Sequence, residues 1–291
     1  MPELPEVETV CRTLARHMIG QRITRVRLRR RDVVRPVSAG HTDLLLDQTV
    51  TRIERHGKQL ALVGDRGACV CVHLGMSGSL CVVDSTAKDH KPHADRDGPA
   101  TKTDHIHVVW TLGDGAEVWF RDPRRFGGIW TFASEQELRQ TRWAKLGPDA
   151  LVITPGQLHA GLSQTRRALK AALLDQHLVA GLGNIYVDEL LFATSLHPLR
   201  PAATLAPVDS QRLVRAMRRI LGRAIEAGGS TLRDYVDAAG QVGGYQTAFK
   251  AYGRGGEACG RCGEVMDTLV VAGRTTSACS VCQVDAELTG E

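Results

Sequence analysis

The first pattern in the chain is an amphipathic one close to its N-terminus. Apolar residues recur at helical spacing at Val7, Val10, Cys11, Leu14 and Met18. This spacing predicts a helix over residues 3–18, because residues three and four apart share one face of a helix. Pro5 and the glutamates around it favour the start of a helix, and Gly20 is expected to end it.

Between residues 21 and 132 the pattern changes to short apolar runs separated by Gly, Asp and Pro. Several of these runs are typical of β-strands: ITRVRL, VTRIERHG, LALV, ACVCVHL, SLCVV, HIHVVWTL and EVWFRD. Strands of this length and spacing predict a sandwich or a barrel. Residues 85–104 are polar and have no periodicity, which predicts a long loop between two strands.

From residue 133 onward the periodicity is helical. Six segments are candidate helices: EQELRQT, TPGQLHAGL, RRALKAALLDQ, NIYVDELLFAT, DSQRLVRAMRRILGRAIEAG and TLRDYVDAAG. Glycine and proline interrupt the pattern at residues 147–148, 181–183, 198 and 228–229. The change near residues 132–140 predicts a hinge between a β-rich domain and a helical domain.

Four of the eight cysteines lie at the end of the chain in two Cys-x-x-Cys pairs. Sixteen residues separate the pairs, which are Cys259 with Cys262 and Cys279 with Cys282. This spacing is typical of a closed four-thiolate site, so we expect one structural Zn²⁺ and no open position for a substrate. A disulfide or redox role is the alternative. The other four cysteines stand among apolar residues and are expected to be small buried side chains without a function.

Composition and charge set limits on the class of protein. The 291 residues are 43% apolar and 24% charged, which is typical of a soluble globular protein. No apolar run is long enough to cross a bilayer, and the start MPELPEVETV does not resemble a signal peptide, so a cytoplasmic location is expected. The net charge of +5 suits a polyanionic partner but does not establish one.

The loop RDPRRFGG has the composition of a nucleic-acid contact. Asp-Pro favours a turn and the two glycines allow close approach of a backbone, so Phe126 is expected at an exposed tip beside Arg124 and Arg125. An exposed aromatic beside arginines is typical of a wedge between bases. Met76 lies in a similar loop, HLGMSGSL, for which packing is the alternative.

A second arginine-rich region precedes this loop. Seven arginines lie between Arg22 and Arg35, and in ITRVRLRR they alternate with apolar residues. This alternation predicts a strand with one solvated face, and contact with DNA is the open alternative.

Taken together, these motifs resemble one family. The chain is similar to the bacterial-type formamidopyrimidine-DNA glycosylases in MPELPEVETV, HGKQL, HLGMSGSL, DPRRFGG, LGPDAL, GLGNIYVDELLF, GGSTLRDYV, AYGRGGEAC and the four-cysteine finger. The resemblance covers nearly the whole chain. It implies an α+β fold with an N-terminal helix, a two-layer β-sandwich, a helix-two-turn-helix domain and a C-terminal β-hairpin zinc finger. Gln59 departs from the family pattern, in which an aromatic residue is common at that position.

The resemblance also implies domain ranges and an activity. The expected domains are a catalytic domain at 1–132, a helix-two-turn-helix domain at 133–228, a capping loop and connector at 229–252, and a zinc finger at 253–285. The expected activity is excision of oxidised purines from double-stranded DNA by a monomer, followed by β,δ-elimination at the abasic site. The alternatives are an endonuclease VIII-like enzyme for oxidised pyrimidines and an inactive damage-binding zinc protein.

Residue roles follow from the same resemblance. Pro2, exposed by removal of Met1, would attack C1′ of the damaged nucleotide, with Glu3 as acid and base, Lys58 beside a phosphate and Glu6 in support. Met76, Arg124 and Phe126 would fill the gap left by the extruded nucleotide. The segment 230–245 would close over the flipped base. The remaining DNA contacts would be His73, Arg125, Lys170, Asn184, Tyr252 and Arg274.

Overall fold

The computed structural model describes residues 1–36, 43–84, 105–232 and 235–284. They form two compact units: the first combines Met1–Ala144 with Ile225–Gln246, and the second combines Lys145–Ala224 with the chain from Thr247 onward. The segment 85–104 lies outside the described residues, so the loop expected there stays a prediction. The four domain ranges also stay predictions, because the two units divide the chain more coarsely.

The N-terminal helix is present where the periodicity predicted it. Helix α1 spans Leu4–Met18 and begins at the N-cap Glu3, with proline in its first turn. Its apolar stripe is buried in the core of the first unit, at Val7, Val10, Cys11, Leu14 and Met18. Gly20 follows the helix with a φ of 82°, a left-handed conformation in which a residue with a Cβ is strained.

Nine strands follow in the first unit. They are β1 (Ile23–Leu28), β2 (Val34–Pro36), β3 (Val50–His56), β4 (Gln59–Gly64), β5 (Cys69–His73), β6 (Ser79–Val83), β7 (Ile106–Leu112), β8 (Glu117–Arg121) and β9 (Gly128–Phe132). One sheet has the order β1-β7-β8-β6 and the other has the order β2-β9-β5-β4-β3. Side chains from both sheets share one hydrophobic core. Of the two folds that the sequence pattern predicted, a sandwich or a barrel, the structure is therefore a sandwich.

The two faces of the five-stranded sheet have different roles. Side chains alternate along a strand, and the face with Leu60, Val72 and Ile129 lies in the hydrophobic core. The opposite face carries Gln59 paired with His73, and Trp130 paired with both Cys71 and Arg35. A short segment lies over this outer face: α2 (Glu135–Glu137) followed by a π-helical turn at Leu138–Arg142.

The second unit is mainly helical. Its helices are α3 (Pro155–Ser163), α4 (Leu169–Leu173), α5 (Asn184–Thr194) and α6 (Pro207–Glu226). Thr154 caps α3 by accepting a hydrogen bond from the N–H of Gln157, and Gly183 is the N-cap of α5. No helix in the described ranges has both the length and the apolar character that a membrane span requires.

One predicted helix is wrong. The described part of TLRDYVDAAG contains no helix, although its periodicity is helical. Gly228 and Gly229 have positive φ angles that end the preceding helix. The Asp237 carboxylate accepts hydrogen bonds from the N–H groups of Ala239 and Gln241, which fixes a turn. Local side-chain bonds and tertiary contacts therefore override the helical propensity of this segment.

A small hairpin ends the described chain. Strands β10 (Asp267–Val271) and β11 (Arg274–Ala278) are antiparallel and joined by a turn at Ala272 and Gly273, both with positive φ. Its apolar core is small and consists of Phe192, Ala251, Cys259, Met266 and Cys279. A core of this size does not order a hairpin alone, so cross-linking by a metal ion is expected to contribute.

Candidate active site and DNA-binding residues

The start of α1 places a carboxyl group directly beside the expected nucleophile. Glu3 is 3% exposed and forms a capping box with Glu6. In this motif the main-chain N–H of Glu3 donates to Glu6 Oε2 at 2.8 Å, and the N–H of Glu6 is bonded to the Glu3 side chain. Pro2 precedes Glu3 and is half-buried. Its nitrogen becomes a secondary amine when Met1 is removed.

Glu6 also fixes the start of the segment expected to cap the lesion. Its other oxygen, Oε1, accepts a hydrogen bond from the N–H of Ser230 at 2.8 Å. The Tyr235 hydroxyl lies 3.1 Å from the main-chain carbonyl of Glu6 and donates to it. A Cβ on Gly229 would meet Glu6 Cγ at 3.0 Å, so glycine permits this close approach. The base of the capping segment therefore lies on the first turn of α1.

The other end of the capping segment is bound to the same place. The N–H of Tyr245 donates to the carbonyl of Gly229, and Ser230 forms a bridge with Gly244. A Cβ on Gly243 would lie 2.3 Å from the carbonyl oxygen of Gly229, which excludes any larger residue. Both ends of the segment thus start from one fixed base.

The three residues expected to form the wedge occur on two loops that Asp122 holds together. Asp122 is buried and accepts hydrogen bonds from the Ser77 hydroxyl at 2.6 Å and from the N–H of Gly127 at 2.7 Å. A Cβ on Gly75 would lie 2.4 Å from the Phe126 carbonyl carbon, so the loops are in direct contact. The side chains that they present are exposed: Met76 is 45% exposed, Phe126 is 55% exposed, and the Arg124 guanidinium lies 4.6 Å from the Phe126 ring centroid.

His73 lies at the end of β5 and is held as a neutral hydrogen-bond donor. Its Nδ1 accepts from the N–H of Gly75 at 3.1 Å, so the proton of the neutral ring is on Nε2. Burial, and then the positive charges of Arg142 and Lys58, lower the pKa of His73 to about 4. An Nε2–H group of this kind can donate to a phosphate oxygen. Lys58 lies in the turn between β3 and β4 and is largely buried.

Arg125 is exposed and already has a partner. Its guanidinium lies 3.2 Å from the carboxylate of Asp32, which also binds Arg30. Hydrogen bonds from Arg30 and then Arg125 hold the pKa of Asp32 at about 2. The backbone φ of Arg125 is 55°, a conformation that is uncommon for a residue with a side chain.

Lys170, one of the expected DNA contacts, lies in the interior of the second unit. A direct phosphate contact needs an accessible ammonium group, but Lys170 is 0% exposed. Its Nζ donates to Asp188 at 2.6 Å and to the carbonyl of Thr275 at 3.3 Å. Asn184 Nδ2 donates to the same carbonyl at 2.9 Å. Lys170 therefore holds the main chain of β11 at Thr275. The residue before Thr275 is Arg274, whose side chain is exposed.

Tyr252 is positioned by a buried carboxylate. Glu189 Oε1 accepts hydrogen bonds from the N–H groups of Ala251 at 2.8 Å and Tyr252 at 2.9 Å, and both Glu189 oxygens accept from Lys250. Three consecutive N–H groups around one carboxylate form an anion-binding nest, which fixes the backbone of this connector.

The four C-terminal cysteines form one cluster. Their sulfur atoms all lie within 4.8 Å of one another, with Cys259 and Cys282 at 3.9 Å and Cys262 and Cys279 at 3.5 Å. Two Zn–S bonds of about 2.3 Å at the tetrahedral angle place sulfurs about 3.8 Å apart. N–H groups of Arg261 and Cys282 point at sulfur atoms, as in thiolate sites. The donor set therefore fits a four-coordinate metal ion.

Comparisons with known proteins agree with this geometry. The family model for the formamidopyrimidine-DNA glycosylase N-terminal domain matches residues 1–129, and the model for the H2TH domain of the same glycosylase matches residues 146–236. The formamidopyrimidine-DNA glycosylase of Rhodopseudomonas palustris (strain ATCC BAA-98 / CGA009) is 43% identical over 293 residues, which cover 97% of this chain and 100% of that protein. The chain belongs to the formamidopyrimidine-DNA glycosylase family.

Solved structures of formamidopyrimidine-DNA glycosylases share the fold. The MutM (Fpg) protein of Thermus thermophilus is 36% identical with a TM-score of 0.83, and the match covers 98% of this chain and 100% of that one. Wild-type Lactococcus lactis Fpg, in complex with DNA containing N7-benzyl-Fapy-dG, is 32% identical with a TM-score of 0.83 over 98% of this chain and 100% of that one. The α+β fold inferred from the motifs is thus confirmed.

Three residues that position the candidate functional residues were not identified from the sequence. Asp122, Asp188 and Glu189 are buried carboxylates, and each binds groups far away in the chain. Charged residues are rarely buried without a partner, so their function is to position neighbouring groups. The only signal in the sequence is their location inside the motifs DPRRFGG and NIYVDELLF.

The neutral state of His73 predicts a pH dependence of stability. The unfolded chain binds a proton on this residue near its ordinary pKa of 6.5, whereas the folded protein binds it near 4. Neutral His73 therefore makes its full contribution to the free energy of unfolding above the unfolded pKa, and this contribution decreases as the pH falls towards 4. Between about pH 7.5 and about pH 5, the wild type is expected to lose more stability in urea denaturation than His73→Gln. Equal losses in the two proteins would contradict this assignment.

The buried Lys170–Asp188 pair gives a second prediction. Burial raises the pKa of Asp188 to about 6, and Lys170 opposes that rise. Lys170→Met leaves this carboxyl group buried without its cation, and is expected to lower the free energy of unfolding by about 3–5 kcal/mol in urea denaturation. The double variant Lys170→Met/Asp188→Leu is expected to recover most of the loss. No recovery would show that Lys170 stabilises the protein through other contacts.

Proposed function

We propose that this protein is a bifunctional DNA glycosylase and abasic-site lyase of base excision repair, acting on 8-oxoguanine and formamidopyrimidines. The observation that carries the proposal is the buried Glu3 beside Pro2, on the helix turn to which the capping segment is attached. The proposed nucleophile Pro2, the proposed proton-transfer group Glu3 and the base of the capping segment lie together on this turn. Family membership gives the reaction class.

The proposed reaction begins at the Pro2 nitrogen. The neutral secondary amine attacks C1′ of the damaged nucleotide and forms an N–C1′ bond. The bond from C1′ to the base breaks, and the base leaves with a proton that Glu3 helps to supply. Amino-terminal amines titrate near 8, so a fraction is neutral at physiological pH. The Pro2 nitrogen loses its proton, and the C1′–O4′ bond of the sugar then breaks as O4′ takes up a proton, which Glu3 is proposed to supply. The product is an iminium ion linking Pro2 to the opened sugar.

The iminium ion then allows strand cleavage. It withdraws electrons from C2′, so a proton leaves C2′ and the C3′–O bond breaks with release of the 3′ phosphate. In a second elimination a proton leaves C4′, which is now conjugated to the iminium, and the C5′–O bond breaks with release of the 5′ phosphate. Lys58 is proposed to stand beside a phosphate in these steps, and water finally hydrolyses the iminium to free the enzyme.

The proposed partner is double-stranded DNA that carries an oxidised purine or an abasic site. His73, Arg125, Asn184, Tyr252 and Arg274 are the proposed backbone contacts, and Met76, Arg124 and Phe126 the proposed wedge. Extrusion of a nucleotide costs a few kcal/mol, and filling the gap offsets part of that cost. We propose that the enzyme acts as a monomer in the cytoplasm, at the nucleoid.

We also propose that the four cysteines hold one Zn²⁺. A bound zinc ion would cross-link the finger and keep its hairpin folded, and its four thiolates leave no site for substrate. Lys170 and Asn184 both bind the carbonyl of Thr275. They would thereby hold the residue before it, Arg274, in place on the hairpin.

A substrate panel tests the proposed function. Duplexes carrying 8-oxoguanine, a formamidopyrimidine, an oxidised pyrimidine or an abasic site are incubated with the enzyme, and the products are resolved on denaturing gels. The proposal predicts release of both oxidised purines and a gap with phosphate at both ends. Preference for the pyrimidine would indicate an endonuclease VIII-like enzyme. Binding of damage without cleavage by protein with a free Pro2 would indicate an inactive damage-binding protein.

A further inference from the structure

Two guanidinium groups lie around one indole ring on the outer face of the five-stranded sheet. The guanidinium carbon of Arg142 is 3.3 Å from the ring centroid of Trp130, and that of Arg35 is 5.2 Å from the same centroid. Arg35 is opposite Trp130 in the sheet register, whereas Arg142 reaches the ring from the π-helical turn above it. Cations favour the face of an indole ring, so this arrangement fixes both charges in place.

Arg142 is fixed by a second contact. Its Nε donates to Gln59 Oε1 at 2.7 Å, and Gln59 is itself buried and accepts from the Cys71 thiol at 3.4 Å. Gln59, the position at which the family resemblance implies an aromatic residue, therefore provides the acceptor that orients Arg142.

Neither guanidinium is paired with a carboxylate in the part of the chain that the structure describes. Among the described residues, no Asp or Glu oxygen lies within 4.0 Å of Arg35 or Arg142. Arg139 lies on the same turn and over another indole, Trp143, at 5.3 Å. It differs because its guanidinium pairs with Glu54 and Glu135.

An oriented and partly buried cation without a counter-charge is costly in the free protein. Burial lowers the pKa of Arg142, but a guanidinium remains protonated at physiological pH. An incoming anion would supply the missing counter-charge and restore part of the solvation that burial removed. A site of this type therefore favours anion binding.

The position of the pair identifies the anion. Gln59 is opposite His73 in the register of β4 and β5, and Cys71 is opposite Trp130 in the register of β5 and β9. Arg142 thus lies on the same sheet face as His73, and its positive charge lowers the pKa of that imidazole. His73 is among the proposed contacts with the DNA backbone, so the cations adjoin that surface.

We propose that Arg142 and Arg35, held on Trp130, bind a backbone phosphate of the DNA outside the contacts carried over from the family. The inference rests on the proposed function. Phosphate contacts carry no sequence information, so the pair is expected to strengthen binding of damaged and undamaged duplexes alike.

The test is the salt dependence of equilibrium binding to a duplex with a non-cleavable abasic analogue. Loss of one phosphate contact reduces the slope of log K against log salt by about 0.9, so Arg142→Gln is expected to show that reduction. Arg142→Lys keeps the charge and is expected to keep the slope. The matched control is Arg139→Gln, which removes a paired arginine from the same turn and is expected to leave the slope unchanged.

A second variant, Arg35→Gln, tests the inference even if Arg142→Gln fails to fold. Arg35→Gln alters an exposed side chain on the edge strand β2 and is expected to reduce the slope in the same direction. Wild-type slopes in both Arg142→Gln and Arg35→Gln would overturn the inference, even if affinity falls, and so would a loss in Arg142→Lys as large as in Arg142→Gln. Wild-type protein that fails to bind the abasic duplex at any salt concentration would instead refute the proposed function as well.

Discussion

Glu3→Gln is expected to slow base release by about 10²- to 10⁴-fold while leaving the affinity for damaged DNA nearly unchanged. Glutamine retains an oxygen that can accept the capping hydrogen bond of α1, but its amide cannot transfer a proton. The variant therefore separates the two roles of Glu3, which forms a capping box and stands beside Pro2. Single-turnover kinetics on a duplex with 8-oxoguanine opposite cytosine measure the rate, and equilibrium binding to the abasic analogue measures the affinity.

The control for Glu3 is a carboxylate on the same helix. Glu8 forms ion pairs with Arg12 and Arg55, so Glu8→Gln removes the same charge without removing the proposed proton-transfer group. Its rate of base release is expected to remain within a few-fold of the wild type. A wild-type rate in Glu3→Gln would contradict the catalytic assignment. A slow rate accompanied by an equal loss of thermal stability and DNA affinity would assign Glu3 a structural role only.

Removal of the metal is expected to have the second large effect. Ligation of a structural zinc contributes on the order of 10 kcal/mol to folding, and the apolar core of the finger contains few residues. Chelation, or Cys279→Ser, is therefore expected to unfold the hairpin and to abolish base excision. Metal analysis of the wild type should give one zinc per chain, and hydrogen exchange of the β10 and β11 amides should report the unfolding.

The control for the metal site is a cysteine outside the cluster. Cys81 is half-buried on β6, and Cys81→Ser is expected to keep both zinc and activity. Excision should return when zinc is restored to the chelated wild type. A hairpin that stays protected from exchange without metal would contradict the structural role proposed for zinc.

Local patterns predicted the elements whose order depends on nearby residues. The stripe from Val7 to Met18 predicts α1, and the run ITRVRL predicts β1 at Ile23–Leu28. The two Cys-x-x-Cys pairs predict the sulfur cluster, because each pair brings two ligands together through a short turn. In each case the physical cause operates within a few residues of the chain.

Contacts between distant residues explain what the sequence did not reveal. Lys170 looks like a surface cation in RRALK, but Asp188, on another helix, holds it in the interior. TLRDYVDAAG has helical periodicity, but Tyr235 donates to Glu6 at the opposite end of the chain. Asp122 joins the two wedge loops through Ser77, which is 45 residues away in the chain. Such pairings depend on tertiary structure and leave no local signature.

The central claim is that the nitrogen of Pro2 is the nucleophile, and borohydride trapping tests it most directly. The protein is incubated with borohydride and a duplex that carries 8-oxoguanine opposite cytosine, and the adducted peptide is identified by mass spectrometry. We predict one covalent adduct, located on the nitrogen of Pro2 in chains that lack Met1. An adduct on a lysine, or no adduct from protein whose N-terminus is shown to be free proline, would contradict the account.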